Sequence, residues 1–443
     1  MKFTIDEIVR ATDAKVLKCQ NDAGYFSIST DTRTIGFDQI YLPLQGENFD
    51  GHNFINMAVE KGARGYFTSD KKLKIKDSKL ILYVKDTLTA YMKLALYARK
   101  KFNPVTIAIT GSSGKTTTKE MMAAVLAAKY KIHKSPLNHN NEVGLCQTIL
   151  SMPKNTEVLI LEMGMRGLGE IELLSKYSEP DIAMVINSGT THIGRLGSIE
   201  SIAAAKCEIT SNLHKEGLFI CHDTELLRAT NNFKGQTIYT ALNPKYLKIK
   251  KMAPGLSEFS YKNSPYKLKV EGEHNIQNAL FVIETALKLG MPPDKIKKSL
   301  VKYQPIEKRW DIENICGYKI INDSYNANPD SVKAALSTFL GLYDGKKVVV
   351  LGDMKELGEN EKKYHEEIGE FINQYKETEL VTVGELAQYT AQTANIKASS
   401  FKTNSEAAKY INQNISKDTT ILLKASRSMK FEEIILLIKE LNK

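Results

Sequence analysis

The sequence predicts a three-domain α/β protein. A central doubly wound α/β sheet carries a phosphate-binding loop (P-loop), a Rossmann-like α/β domain follows it, and a small α/β domain precedes it. Three observations predict this. Strand-like and helix-like runs alternate from residue 105 to about 305 and again from 318 to 441, the pattern of sheets covered on both faces. Pro-containing hinges, Lys101-Phe102-Asn103-Pro104 and Gln304-Pro305, set expected domains at 1–101, 102–306 and 307–443. A glycine-rich turn, Gly111-Ser112-Ser113-Gly114-Lys115-Thr116-Thr117, joins a short β-branched run to a helical pattern. The length of 443 residues suits two to four domains.

That turn carries the first chemistry. Its glycines let the backbone fold tightly enough for successive N–H groups and a helix N-terminus to meet a phosphate. Lys115 can reach outer phosphates, and the Thr116 hydroxyl can complete the shell of a Mg²⁺ ion. Ile109 stands where the longer form of the pattern has a glycine, so this is the shorter T-G-x-x-G-K-T form of a nucleotide site.

In chain order, the first unit should hold helices at 4–12, 53–61 and 88–101 and strands at 25–31, 40–44 and 64–68. Two of its turns are dense in polar side chains: Thr30-Asp31-Thr32-Arg33, and the run from Gln45 through Asn48, Asp50 and His52. From these residues alone a solvated loop is an equal reading. The middle unit should place strands at 105–109, 158–161, 182–186 and 218–221 and helices at 169–177, 199–213 and 275–289, with short antiparallel strands within 231–271. The last unit should place strands at 318–322, 347–351, 380–383 and 420–423 between helices at 329–340, 361–374, 405–411 and 432–441. It has the order of a dinucleotide-type fold without G-x-G-x-x-G.

Composition excludes several classes. With 42% hydrophobic and 25% charged residues, the chain is ordinary for a globular protein. A net charge of +10 suits acidic ligands; the lysines are dispersed rather than blocked, so nucleic acid is not expected as a partner. Five cysteines without C-x-x-C spacing read as reduced thiols of a cytoplasmic protein. The start resembles a capped helix rather than a signal peptide, and no apolar run has the length for membrane insertion.

Ligands of open α/β sheets sit beyond the carboxyl ends of the strands, so the residues there are the next candidates. Glu162 follows one strand of the middle unit, and Asn187-Ser188-Gly189-Thr190-Thr191-His192 follows another. A carboxylate and an imidazole on the rim of Lys115 and Thr116 could face a metal bound to phosphates, although a lone histidine fits a structural role as well. Lys206, in an alanine-rich helix, reads first as a surface lysine. Asn275 and Asn278, three apart at the start of a helix, suit a base or sugar and equally suit capping. In the third unit three polar turns follow strands: Asn322-Asp323-Ser324-Tyr325-Asn326-Ala327-Asn328-Pro329, Gly352-Asp353-Met354-Lys355-Glu356-Leu357-Gly358 and Lys424-Ala425-Ser426-Arg427-Ser428. Together they predict a second ligand-binding edge.

These segments, spread over nearly the whole chain, resemble the Mur ligase family. Within it they resemble the branch that joins D-alanyl-D-alanine to UDP-N-acetylmuramoyl-tripeptide; the 322–329 turn is the most specific piece, supported by 351–358 and 138–144. The resemblance implies an ATP-dependent amide ligase with Mg²⁺ as cofactor, working through an acyl phosphate as a cytoplasmic monomer. It implies phosphate contacts from Gly111 to Thr117, metal positions at Thr116, Glu162 and His192, and a Lys206 carbamate holding a second Mg²⁺. Lys115, His192 and Lys206 would be the catalytic set. Asn275 and Asn278 would face adenine, and Arg309 and Asp323 would close over the nucleotide as the third unit swings in. Thr30, Asp31, Arg33, Asn48, Asp50 and His52 would hold the uridine end, and Tyr325, Asn326, Asn328, Ser426 and Arg427 the peptide substrates.

The chain departs from the family pattern at Lys308 and Ala425, where glycines are usual, and at Cys221-His222-Asp223, in place of an asparagine-rich turn. Two other readings remain: a related ligase joining a different amino acid to a carboxylate, and a P-loop NTPase that uses the loop as a switch.

Overall fold

The computed structural model describes residues 1–443 except 21, 22, 38, 74, 76, 77 and 307; position 307, at the expected second boundary, lies outside the described residues. Among the described residues three α/β sheets follow one another along the chain. The first orders its strands Lys15–Cys19, Leu80–Tyr83, Gly65–Thr68, Gln39–Tyr41 and Ser27–Ser29, parallel except for the edge pairing of Lys15–Cys19 with Leu80–Tyr83. The strands Lys15–Cys19 and Leu80–Tyr83 have no counterpart in the sequence reading. The former is a mostly exposed edge whose lysines mask its period, a common device for blunting edges.

The middle sheet is fully parallel, in the order Gln236–Thr240, Leu218–His222, Ile182–Val185, Val105–Thr110, Val158–Glu162 and Ile132–Lys134. Its central strands are buried along their length, which is why they read as unbroken apolar runs. From Val105–Thr110 the chain builds outward in both directions, so the sheet's switch point falls where Val105–Thr110 ends between Val158–Glu162 and Ile182–Val185. The register puts Glu162 beside Ile109 and Val185 beside Thr110, bringing three strand ends to one crevice.

Within 231–271 the expectation of antiparallel strands is corrected in part. Leu247–Ala253, Leu256–Tyr261 and Ser264–Leu268 do form an antiparallel sheet, but Gln236–Thr240 joins the main sheet in parallel. The predicted helix at 199–213 is Ile199–Cys207 followed by a tighter turn, Glu208–Thr210.

The third sheet runs Asp311–Ile315, Tyr318–Asn322, Thr420–Lys424, Lys347–Gly352, Thr378–Val383 and Ala398–Phe401. All pairs are parallel except Asp311–Ile315, joined to Tyr318–Asn322 by the two-residue turn Cys316-Gly317, both at positive φ. Helix Pro329–Leu342 begins on a capping box, with Asn328 accepting from Ser331 N–H and proline in the first turn. Among the described residues no helix is long and apolar enough to cross a membrane.

The central strand anchors the crevice. Ile107, fully buried in Val105–Thr110, should cost about 2–5 kcal/mol when cut to alanine. A shift of the guanidinium midpoint of unfolding measures this; an unchanged midpoint would contradict the packing.

Candidate active site

The P-loop turns as its glycines predict. Gly114 sits at φ +78° and begins helix Lys115–Leu126; a side chain there would also meet Asn278 Oδ1 at 2.9 Å. Gly111 is equally constrained, because a methyl on it would run into Ile186. Asn187, just beyond Ile182–Val185, clamps the loop. Its Oδ1 accepts from Ser112 N–H at 2.7 Å and Ser113 N–H at 3.1 Å, and its Nδ2 donates to Ser113 O at 3.0 Å. The strand-end segment contained Asn187, but nothing in its spacing set it apart from its polar neighbours.

Thr116 is the hub of the site. Its hydroxyl donates to Glu162 Oε1 at 3.1 Å and Oε2 at 3.0 Å, and accepts from Arg309 Nη2 at 3.0 Å. Glu162 is buried, its backbone N–H donates to Ser135 Oγ, and Lys119 Nζ stands 3.3 Å from its carboxylate. Lys119, one turn beyond Lys115, is fully buried and was not among the sequence candidates; the i, i+4 spacing was its only signal. Lys115 folds back to donate to Gly111 O at 2.7 Å. Burial lowers its pKa, the Glu162 carboxylate opposes that, and Arg309 adds to it. An anionic phosphate beside Lys115 would favour the charged form.

A cavity of about 1040 Å³ opens over this hub, between the middle and third units. Of the expected residues, Ser112, Ser113, Gly114, Lys115, Thr116, Thr117, Glu162, Asn275, Asn278, Arg309, Asp323, Tyr325, Asn326 and Asn328 line it. Leu242, Met252, Val270, Ala335 and Leu342 give it an apolar wall. His222, from the departing turn Cys221-His222-Asp223, also lines it, and burial lowers its pKa.

Arg309 reaches in from the third unit with its guanidinium 4.0 Å above the Tyr325 ring. The Tyr325 hydroxyl donates to the Asn138 side chain. Lys308, where the family has a glycine, adopts φ +62°, the region a glycine would favour; Trp310, on the other side, has φ +59°. Such residues cost on the order of 1–3 kcal/mol each and need outside support. Ala425, the other departure, is fully buried and packs its methyl against the space left by Gly352.

Within the 322–328 turn, Lys424 Nζ donates to Asp323 Oδ2 at 2.6 Å and to the carbonyls of Asp323 and Asn326. Asn322 and Ser324 bond to each other, and Asn328 Nδ2 donates to Thr191 Oγ1 at 2.6 Å. Several of these polar groups therefore hold the turn and the unit interface, while Tyr325 and Asn326 face the cavity. The other two turns bond to one another and to neighbouring segments of the third unit. Lys355 N–H donates to Ser426 Oγ, Asp353 Oδ1 accepts from Leu386 and Ala387 N–H, and Arg427 pairs with Glu432. Ser426 and Arg427 do not line the cavity.

His192 also lies outside the cavity lining. It has φ +67°, and its Nδ1 is 2.8 Å from Glu356 Oε2 of the third unit. In the first unit, Asp31 and Asp50 both bear on Tyr41, whose hydroxyl donates to Gly51 O. Burial first, then those carboxylates, push the Tyr41 pKa up to about 12. Arg33 makes a bidentate pair with Asp31, and Asp50 pairs with His52. Thr30 and Asn48 sit on the same turns, and none of these residues lines the cavity.

Hard oxygen donors and open coordination positions are what Mg²⁺ takes when it bridges phosphates. The Thr116 hydroxyl and Glu162 carboxylate, already within hydrogen-bond reach, supply two such donors, so this pair fits the ion. Among the described residues no three His, Cys, Asp or Glu side chains cluster to hold a metal by themselves.

Lys206 differs from its reading as a surface residue: it is 1% exposed. Burial, with the Lys115 charge beside it, holds its pKa well below the ordinary lysine value. The unfolded chain therefore binds a proton there that the folded chain does not, and stability rises with pH between the lowered value and the ordinary one. Lys206→Met should be more resistant to denaturant than the parent at pH 7, with the gap closing towards pH 10. A gap that widens with pH would contradict this.

Comparison with known proteins places the geometry in a lineage. The family pattern described as Mur ligase middle domain matches residues 109–286, and that described as Mur ligase, glutamate ligase domain matches 308–427. The chain is 37% identical to UDP-N-acetylmuramoyl-tripeptide–D-alanyl-D-alanine ligase of Bacillus subtilis, over 92% of each chain. A crystal structure of MurF from Acinetobacter baumannii superposes with a TM-score of 0.92 at 29% identity, covering 99% of both chains. MurF ligase from Thermotoga maritima in complex with ADP gives 0.86 at 27% identity, covering 94% of this chain and 98% of that one. By these matches over most of its length, the chain belongs to the Mur ligase family.

Proposed function

We propose that the protein is an ATP-dependent ligase that joins D-alanyl-D-alanine to UDP-N-acetylmuramoyl-tripeptide, forming the pentapeptide precursor of peptidoglycan. The observation that carries the reading is Arg309 of the third unit meeting Thr116 of the P-loop. The likeness to ligases of that name, over nearly the whole length, supplies the substrates.

The chemistry follows from charge. A carboxylate does not react with an amine until its oxygen becomes a leaving group, and transfer of the ATP γ-phosphate makes it one. The attack brings two anions together, so cations must surround the transferred group. Lys115 and Arg309 supply positive charge, and the N–H groups of the P-loop cradle the β-phosphate. Mg²⁺, held by Thr116 and Glu162, would neutralise further charge on the phosphates. The amine of D-alanyl-D-alanine then attacks the acyl phosphate carbonyl; the carbon–oxygen bond to phosphate breaks, and the amine's surplus proton leaves. Residues 102–306 bind ATP in this reading, with adenine against Asn275, Asn278 and the apolar wall. Residues 307–443 close over it and take the dipeptide near Tyr325 and Asn326. Residues 1–101 take the uridine end through the Asp31 and Asp50 turns. The reaction takes place in the cytoplasm, on a monomer.

Lys206 fits the role of a carbamate. Only a neutral amine attacks carbon dioxide, and its burial favours that form. His192, its Nδ1 2.8 Å from Glu356 of the third unit, lies between the units and is the weaker metal candidate.

The test is phosphate release in the presence of the muramoyl tripeptide and a panel of amines. Release should require D-alanyl-D-alanine, and Lys115→Ala should reduce it by about 10²–10³-fold. Equal stimulation by another amino acid would favour a sibling ligase. Release indifferent to every amine would favour a switch NTPase.

A further inference from the structure

Glu271 lies between strand Ser264–Leu268 and helix Glu273–Lys288, and it is fully buried. Its Oε1 accepts from Trp310 Nε1–H at 2.8 Å and from the Tyr343 hydroxyl, and its Oε2 accepts from Gly255 N–H at 2.8 Å. Three uncharged donors thus converge on one buried carboxylate. Such a group is stable only while its donors stay in place, so its position and theirs are coupled. Two of the donors, Trp310 and Tyr343, belong to the third unit, whereas Glu271 belongs to the middle one. The carbonyl of Glu271 also accepts from Nδ2 of Asn275, a residue that lines the nucleotide cavity, at 2.7 Å.

Trp310 directly follows Arg309, and the left-handed backbone at Lys308 and Trp310 brackets the arginine. A bulky residue holds that conformation only when its surroundings impose it. Tyr325 N–H donates to Lys308 O at 3.0 Å on one side. On the other, the bond to Glu271 fixes the Trp310 ring, which also meets the edge of His274. We propose that Glu271 is a positioning residue: by holding Trp310 and Tyr343 it sets the linker so that Arg309 points at Thr116 and the outer phosphate of ATP. The inference rests on the ligase reading for its catalytic consequence, but not for the tether itself.

Trp310 is the one tryptophan of the chain, so its fluorescence reports the tether directly. Glu271→Ala should shift the emission to the red. It should lower kcat by about tenfold or more while KM for D-alanyl-D-alanine stays within roughly twofold, the signature of an interaction made in the transition state. Glu271→Gln, which retains an acceptor oxygen for the indole, should recover most of the rate. In an Arg309→Ala background, Glu271→Ala should cost less than about twofold, because the two act as a unit. The same fold loss in both backgrounds, or unchanged emission and rate, would overturn the proposal. If Glu271→Ala does not fold, Trp310→Phe removes the indole N–H together with part of the ring and must show the same dependence on Arg309; equal losses in the two backgrounds would again overturn it. Should the parent show no turnover with D-alanyl-D-alanine, the ligase reading falls. The emission shift of Glu271→Ala then decides the tether: a red shift supports it and an unchanged spectrum overturns it.

Discussion

The hydroxyl of Thr116 is where two halves of the molecule meet. It donates to Glu162 at the end of one strand and accepts from Arg309, which lies almost two hundred residues further along the chain. A Coulombic argument makes the contact central. Arg309, Lys115 and Lys119 gather basic groups around the Glu162 carboxylate in a partly desolvated crevice, with Glu120 3.5 Å from Lys119. Such a crevice stabilises a polyanion far more strongly than a water-exposed surface does. The cavity is therefore prepared for a triphosphate by the same groups that draw the units together.

A second line of contact joins the middle and third units. The segment after Ile182–Val185 packs on the third unit with almost no intervening side chain. A methyl on Gly194 would strike the backbone of Gly358, and one on Gly189 would strike Asp330. Asp330 accepts from Thr190 N–H and its hydroxyl, Asn328 donates to Thr191, and His192 pairs with Glu356. Each bond is modest in isolation, roughly 0.5–3 kcal/mol. Because they share one short loop, any movement of the third unit breaks them together. The loop that holds Asn187 against the P-loop is thus also the loop that contacts the third unit.

How much of this could be read from the chain depended on sequence distance. The P-loop announced itself because strand, turn and helix are contiguous, and Glu162 followed from the rule that strand ends share a rim. Arg309 came only through family resemblance, since no spacing within the chain links position 309 to position 116, whereas Asp323 stood in a polar strand-end turn and took only its nucleotide role from the resemblance. Burial of Lys206 was illegible for another reason: an alanine-rich helix with scattered charges looks the same whether its lysine faces water or the core. The polar turns of the third unit look alike in sequence but divide in the structure. Asn322, Ser324, Asp353 and Ser426 mostly satisfy backbone or neighbouring groups, and only tertiary packing separates such residues from Tyr325 and Asn326, which face the cavity. Edge strands such as Lys15–Cys19 were missed because exposed lysines erase their alternation.

The account stands or falls on where the γ-phosphate goes. If the closed crevice activates a carboxylate, labelling both oxygens of the tripeptide's terminal carboxylate with oxygen-18 should leave one label in the new amide. The other should pass to the released phosphate, as mass spectrometry of both products would show. Product formed together with wholly unlabelled phosphate would contradict the account.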